Sequence, residues 1–120
     1  MTLTVELPQK VSSNELERMH AMKHYPIKKA FYLAVLAAVR RAGIGPVEQY
    51  PVLSHYFFQV PGKPLDNLNL AGMAKMVEDG LRHAGIIKND TPAEVAGAFL
   101  SQEPVAGKRI YVTISLVPLE

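Results

Sequence analysis

The chain has no cysteine among its 120 residues. That excludes a disulfide framework, a thiol nucleophile and a zinc–thiolate centre. It also lacks any apolar run long enough to span a bilayer. Met1 to Glu6 has no basic stretch followed by an apolar one, so no secretory leader is read there, and the cytoplasm is the expected compartment. Net charge is small, with 13 Lys and Arg against 11 Asp and Glu, or +2. Yet the cations are unevenly spread. Lys10, Arg18, Lys23, Lys28, Lys29, Arg40 and Arg41 face only Glu15 and Glu17 in the same stretch. Such an excess suits a polyanionic partner, and it equally suits a solvated helix face. The length fits one domain, 1–120, small enough that dimerisation would add usefully to its buried surface.

Periodicity then orders the chain. Thr2 to Leu7 alternates Leu3, Val5 and Leu7 against Thr2, Thr4 and Glu6, the pattern of a half-buried strand stopped by Pro8. Residues 8–15 read as a polar loop in which Ser12, Ser13 or Asn14 suits a helix cap. Pro26 suits a first helical turn. From Ile27 the apolar spacing of Phe31, Val35, Leu36, Ala38 and Val39 predicts an amphipathic helix ended by Gly43. Tyr25, Phe31 and Tyr32 are expected in the core. Val47 to Val60 reads as a long central strand with Pro51 as an irregularity near its start. A second helix is predicted over about Leu68 to Ala84, with Gly72 weakening its first turns or admitting a close backbone approach. Ala93 to Leu100 reads as a strand, Gln102 to Lys108 as a turn, and Arg109 to Val117 as the last strand. The order β-α-β-α-β-β implies an α/β (α+β) fold, with one mixed sheet of about four strands and two main helices.

The acids of the second half are few and separated. Asp66 precedes the second helix and Asp90 follows it, in the turn Asn89-Asp90-Thr91-Pro92. Two carboxylates bracketing a helix suit a hard divalent cation such as magnesium. The same residues also suit plain caps and turns. Lys75 and Asp79 are four apart on one helix face, the spacing of a surface ion pair.

A resemblance joins these pieces. The loop Leu7-Pro8-Gln9-Lys10-Val11-Ser12-Ser13-Asn14, the basic region Arg18, His20, Lys23, Lys28, Lys29, and the run Glu78-Asp79-Gly80-Leu81-Arg82-His83-Ala84-Gly85-Ile86-Ile87-Lys88-Asn89-Asp90-Thr91-Pro92 are similar to the RusA family of Holliday junction resolvases. These are small metal-dependent endodeoxyribonucleases common in phages and prophages, and the likeness covers nearly the whole chain. It implies cleavage of four-way DNA junctions in the cytoplasm of a bacterial host by a homodimer using Mg2+, or Mn2+ in its place. Asp66 and Asp90 are the implied metal ligands, and Lys75 the implied catalytic cation. Lys10, Arg18, Lys23, Lys28, Lys29 and Lys63 are the expected phosphate contacts.

One departure falls in the implied active site. The family motif alternates two Asp, and this chain keeps one. Either Asp66-Asn67-Leu68 is the end of the motif and Pro64 replaces the first Asp, or Asp66 is the first Asp and Leu68 replaces the second. The latter register is preferred because it gives the spacing to Lys75 that phage members show. Loss of a carboxylate weakens metal binding, with Asn67, Asn69, Glu78 or Asp79 as substitute donors. An alternative expectation is therefore a homologue that occupies DNA junctions without cutting them. A small interaction protein whose acids are only caps and turns is the third reading.

Overall fold

A computed structural model describes residues 1–89 and 91–119, apart from the side chain of Ala21. Four strands form one mixed sheet: β1 (Thr2–Leu7), β2 (Val52–Pro61), β3 (Val95–Val105) and β4 (Ile110–Pro118). Their spatial order is β1-β4-β2-β3. β4 runs antiparallel to both β1 and β2, whereas β2 and β3 are parallel. A parallel pair needs a crossover, and α3 (Ala71–His83) supplies it. The other helices, α1 (Ser13–Arg18) and α2 (Ala21–Ala42), occupy the chain between β1 and β2.

The alternation expected in β1 is present, with Leu3, Val5 and Leu7 buried and Thr2, Thr4 and Glu6 exposed. The same parity continues through Val52, Ser54, Tyr56, Phe58 and Val60 of β2 and Ile110, Val112, Ile114 and Leu116 of β4. One sheet face is thereby buried. Phe31, Val35 and Val39 of α2 and Met73, Met76, Val77 and Leu81 of α3 join those residues in a single core. Each such side chain contributes about 1.5–3 kcal/mol by leaving water.

Several expectations shift against the structure. α2 begins at Ala21, so Pro26 lies inside the helix and not at its start. The cost is one missing i→i−4 hydrogen bond. Position 26 is also on the exposed side of α2. Tyr25 is likewise exposed at 65% and is not core, while Phe31 is fully buried. Of the cap candidates before the first helix, Ser12 is the one used, and a short helix, α1, follows it. Ser12 and Glu15 form a capping box for α1: the Ser12 hydroxyl accepts from the Glu15 N–H, and the Glu15 carboxylate accepts from the Ser12 N–H, both at 3.1 Å. β2 starts at Val52, after the cis Tyr50–Pro51 bond, so residues 47–51 lie outside it. The second helix opens with a 3-10 turn, Asn67–Leu70, before α3 proper. β3 continues through Gln102, Glu103 and Pro104, which were expected to turn. Pro104 is tolerated because β3 is an edge strand with pairing on one side only.

Candidate nucleic-acid interface

The loop after β2 positions Asp66. It leaves the sheet at Pro61 and is clasped back onto β3 by Gln102. The Gln102 amide oxygen accepts from the Leu65 N–H at 3.2 Å, and its NH2 group donates to the Leu65 carbonyl and, at 3.1 Å, to the Asn67 side-chain oxygen. Asp66 occupies the N-cap position of the 3-10 turn, but its carboxylate makes no capping bond there. The side chain is exposed. Leu68, where the preferred register loses an Asp, is 86% exposed. An apolar side chain gains nothing from that position.

Lys10 and Lys63 meet at the same end of β2. The Lys10 ammonium donates to the Pro61 carbonyl at 3.3 Å and to the Lys63 carbonyl. Lys10 thus ties the β2 exit to the β1–α1 loop, and that tie occupies donors otherwise available to a phosphate. The start of α3 is held in a similar way. The Ser13 hydroxyl accepts from the Gly72 N–H at 2.8 Å and donates to the Asn69 carbonyl at 3.2 Å. A Cβ on residue 72 would lie 3.2 Å from the Ser13 Cα. Glycine is needed at position 72 because α1 passes against the α3 backbone there.

Between α1, α2 and α3 this packing leaves an open groove of about 390 Å³. Lys28 and Lys75, both candidate site residues, line it together with His24, Glu17 and Asp79. Lys75 Nζ lies 3.2 Å from the Asp79 carboxylate, as the i,i+4 spacing predicts, and Arg82 approaches the same oxygen at 3.7 Å. Asp79 is largely sheltered, its side chain 13% exposed, while Lys75 reaches solvent at 58%. The pair therefore presents its cationic side outward. Beside it, burial raises the Tyr32 phenol above its ordinary pKa, and the Asp79 charge adds to the shift. On the other flank of α3, the buried Tyr56 hydroxyl donates to Glu78 at 3.1 Å. Burial, followed by the Glu78 charge, pushes the Tyr56 phenol well above its ordinary value.

Of the remaining expected phosphate contacts, Arg18, Lys23 and Lys29 are exposed. None of the three lines the groove. Lys28 and Lys29 are neighbours in sequence, but a helix turns about 100° between them, and only Lys28 faces α3. Asp90 lies outside the described residues. On either side of it, the Lys88 N–H donates to the Tyr50 hydroxyl, and the Thr91 carbonyl accepts from the Glu94 and Val95 N–H groups. Asp66 offers the hard oxygen that magnesium prefers. Among the described residues, however, no group of three His, Asp or Glu side chains is placed to hold a metal ion. The described donors alone do not make a magnesium site.

Sequence reasoning missed three contributors. Gln102 read as a turn residue, and only the continuation of β3 turns it toward the Asp66 loop. Glu17 sits in a helix too short to show a periodic signal. Ser13 competed with Ser12 for the cap, and its tie to Gly72 spans 59 residues. The chain matches no protein-family model, and a search of the curated proteins finds no match.

Proposed function

We propose that this chain is a RusA-like protein of branched DNA. It binds the phosphates of a four-way junction and acts as a Mg2+- or Mn2+-dependent endodeoxyribonuclease, with Asp66 and Asp90 as ligands and Lys75 facing the scissile phosphate. The observation that carries this reading is the groove. Lys28 and Lys75 are 47 residues apart in sequence, yet they line one open cleft. Phosphate oxygens attract such a pair, and the Lys75 side chain, beside Asp79, is 58% exposed to solvent. The exposed Asp66 loop leads directly into the helix that carries Lys75. A homodimer would present two such surfaces to the two opposed strands of a junction. The cytoplasm of a bacterial host, with a phage or prophage origin, follows from the same likeness.

A second reading, junction binding without cleavage, is favoured by Leu68. Its exposed side chain stands where the preferred register requires a carboxylate, and Asp66 is the single described acid of that loop. One experiment separates the readings. The chain is mixed in excess with a labelled four-way junction, and binding and single-turnover cleavage are followed with Mg2+ or Mn2+. Metal-dependent cuts lost in both Asp66→Asn and Asp90→Asn establish the nuclease. Tight, salt-dependent junction binding with no cuts at any metal concentration establishes the binding homologue. Equal and weak affinity for junction and linear duplex at low salt refutes both.

A further inference from the structure

The chain has 4 histidines, and local structure accounts for three of them. His20 is the exposed N-cap residue of α2, and its carbonyl accepts from the Lys23 and His24 N–H groups. His55 of β2 pairs with Ser101 of β3 at 2.8 Å. His83 stacks on Tyr32 with ring centroids 4.8 Å apart. His24 has no such role. It lines the groove between α1, α2 and α3, and among the described residues no hydrogen bond or ion pair engages its imidazole.

The helix aims it there. His24 and Lys28 are four residues apart on α2 and share one face. Both are half-buried, whereas Lys23, Tyr25, Pro26 and Lys29 beside them are exposed. Lys75 of α3 lines the same groove. Glu17 of α1 and Asp79 of α3 complete its charged lining, and Arg82 approaches Asp79 at 3.7 Å without lining it. Tyr32, also beside Asp79, is a neutral phenol, because burial and the Asp79 charge raise its pKa. Leu16 and Met76 are buried where they line the groove, so charges there are screened less than on an open surface.

Two ammonium groups in that lining thus meet two carboxylates. With a neutral imidazole the lining carries no net charge. A proton on His24 leaves one positive charge in excess. Imidazole is the side chain whose charge ordinarily changes between about pH 5 and pH 8.

We infer that protonated His24 is a phosphate contact of this groove, so that the hold of the chain on a nucleic-acid backbone tightens as the pH falls through that range. Resting on the reading of the groove as a phosphate site, this role gives the site a pH dependence. The sign follows from linkage. A phosphate beside His24 favours the imidazolium, so binding takes up a proton and a rise in proton concentration strengthens binding. The magnitude is that of one added charge. Unit charges about 4 Å apart in water attract enough for roughly a fivefold gain in affinity, and the apolar lining raises this to about tenfold. One more neutralised phosphate steepens the log–log salt slope by about 0.9.

Equilibrium binding of a labelled four-way junction, in EDTA so that no cut intervenes, tests this at about pH 5.5 and about pH 8. The native chain is expected to bind about tenfold more tightly at the lower pH, with a salt slope steeper by about one. His24→Gln should bind at both pH values as the native chain does at the higher one. His24→Lys, charged throughout, should bind tightly at both. Each should keep the native circular dichroism spectrum, because the imidazole is half-buried and holds no hydrogen bond. His20→Gln, outside the groove, should behave as native. Equal native affinity at the two pH values overturns the inference, and so does a pH dependence that survives His24→Gln or is lost with His20→Gln instead; the groove then remains a junction site through its lysines. Absence of junction binding at both pH values overturns the reading of the groove itself, and the role of His24 with it.

Discussion

Gly80 sits in the middle of α3, where glycine costs about 1 kcal/mol relative to alanine. Propensity alone therefore says that Gly80→Ala stabilises the chain. The packing says the opposite. A Cβ at residue 80 would lie 3.0 Å from both Cβ and Cγ2 of Val35, and 3.4 Å from Cγ1. Carbon atoms rest at about 3.5–4.0 Å. Val35 is fully buried in α2, and a β-branched residue in a helix has one strongly preferred rotamer, so its methyls have nowhere to turn. Relief requires α2 and α3 to move apart, and overpacking of this kind costs about 1–3 kcal/mol. Set against the propensity gain, the net effect is a loss of about 1 kcal/mol, or a fall in Tm of roughly 3–5 °C for a chain of this length. Urea unfolding of Gly80→Ala, Val35→Ala and the double variant forms a cycle. Once Val35 is truncated the new methyl has room, so Gly80→Ala should become stabilising, with a coupling of about 1–2 kcal/mol between the sites. A single Gly80→Ala variant at or above the native midpoint would refute the claim that this glycine exists to let the two helices touch.

Further perturbations address other elements. Ser12→Ala removes the reciprocal bonds of the α1 cap and should cost about 1 kcal/mol in urea unfolding, whereas an unchanged midpoint would mean that α1 is held by packing alone. Tyr56→Phe removes the donor to Glu78 and should cost about 1–2 kcal/mol at neutral pH. The same variant tests a pH dependence: the Tyr56 phenol is raised in the folded chain, so its contribution is complete below pH 10, where the unfolded phenol begins to ionise, and is lost as the pH rises above that. The slope is about 1.4 kcal/mol per pH unit per proton, and Tyr56→Phe should lose less stability than the native chain between pH 9 and pH 11. Six phosphate contacts would weaken junction binding roughly a thousandfold between 50 and 200 mM salt, and Lys28→Ala should lower the log–log salt slope by about one. An unchanged slope would remove Lys28 from the interface.

The strands were legible because each carries its own two-residue period. β1 agrees with the structure residue for residue, and the central place of β2 follows from apolar residues on both parities. Where local signals conflicted with tertiary context, the reading slipped. Pro26 is a strong helix-start signal, yet α2 begins a turn and a half earlier because its exposed side can spare one hydrogen bond. Pro104 and Gly107 read as a turn, but an edge strand needs only one set of ladder bonds, so β3 runs on through Pro104. That extension was invisible in the sequence, and it carries Gln102 to the Asp66 loop. The candidate site was legible only in part for the same reason. The i,i+4 pair Lys75–Asp79 is local and was read directly. The groove that joins Lys75 to Lys28 depends on two glycines, Gly72 and Gly80, each allowing a helix to approach α3, and no local pattern announces which residue will fill the other side of such a contact.

The distribution of charge ties these observations to a single orientation. Coulomb attraction to a phosphate polymer acts over about 10 Å at 0.1 M salt, so cations must share one side of the molecule to act together. Here the strands contribute none of them and carry only the acids Glu6 and Glu103, so every cation sits in the helices, turns and loops around the sheet. Of these cations, Lys28 and Lys75 line the groove between α1, α2 and α3, so their attraction for a phosphate adds on that side of the molecule, whereas the acids of the strands lend the sheet no such pull.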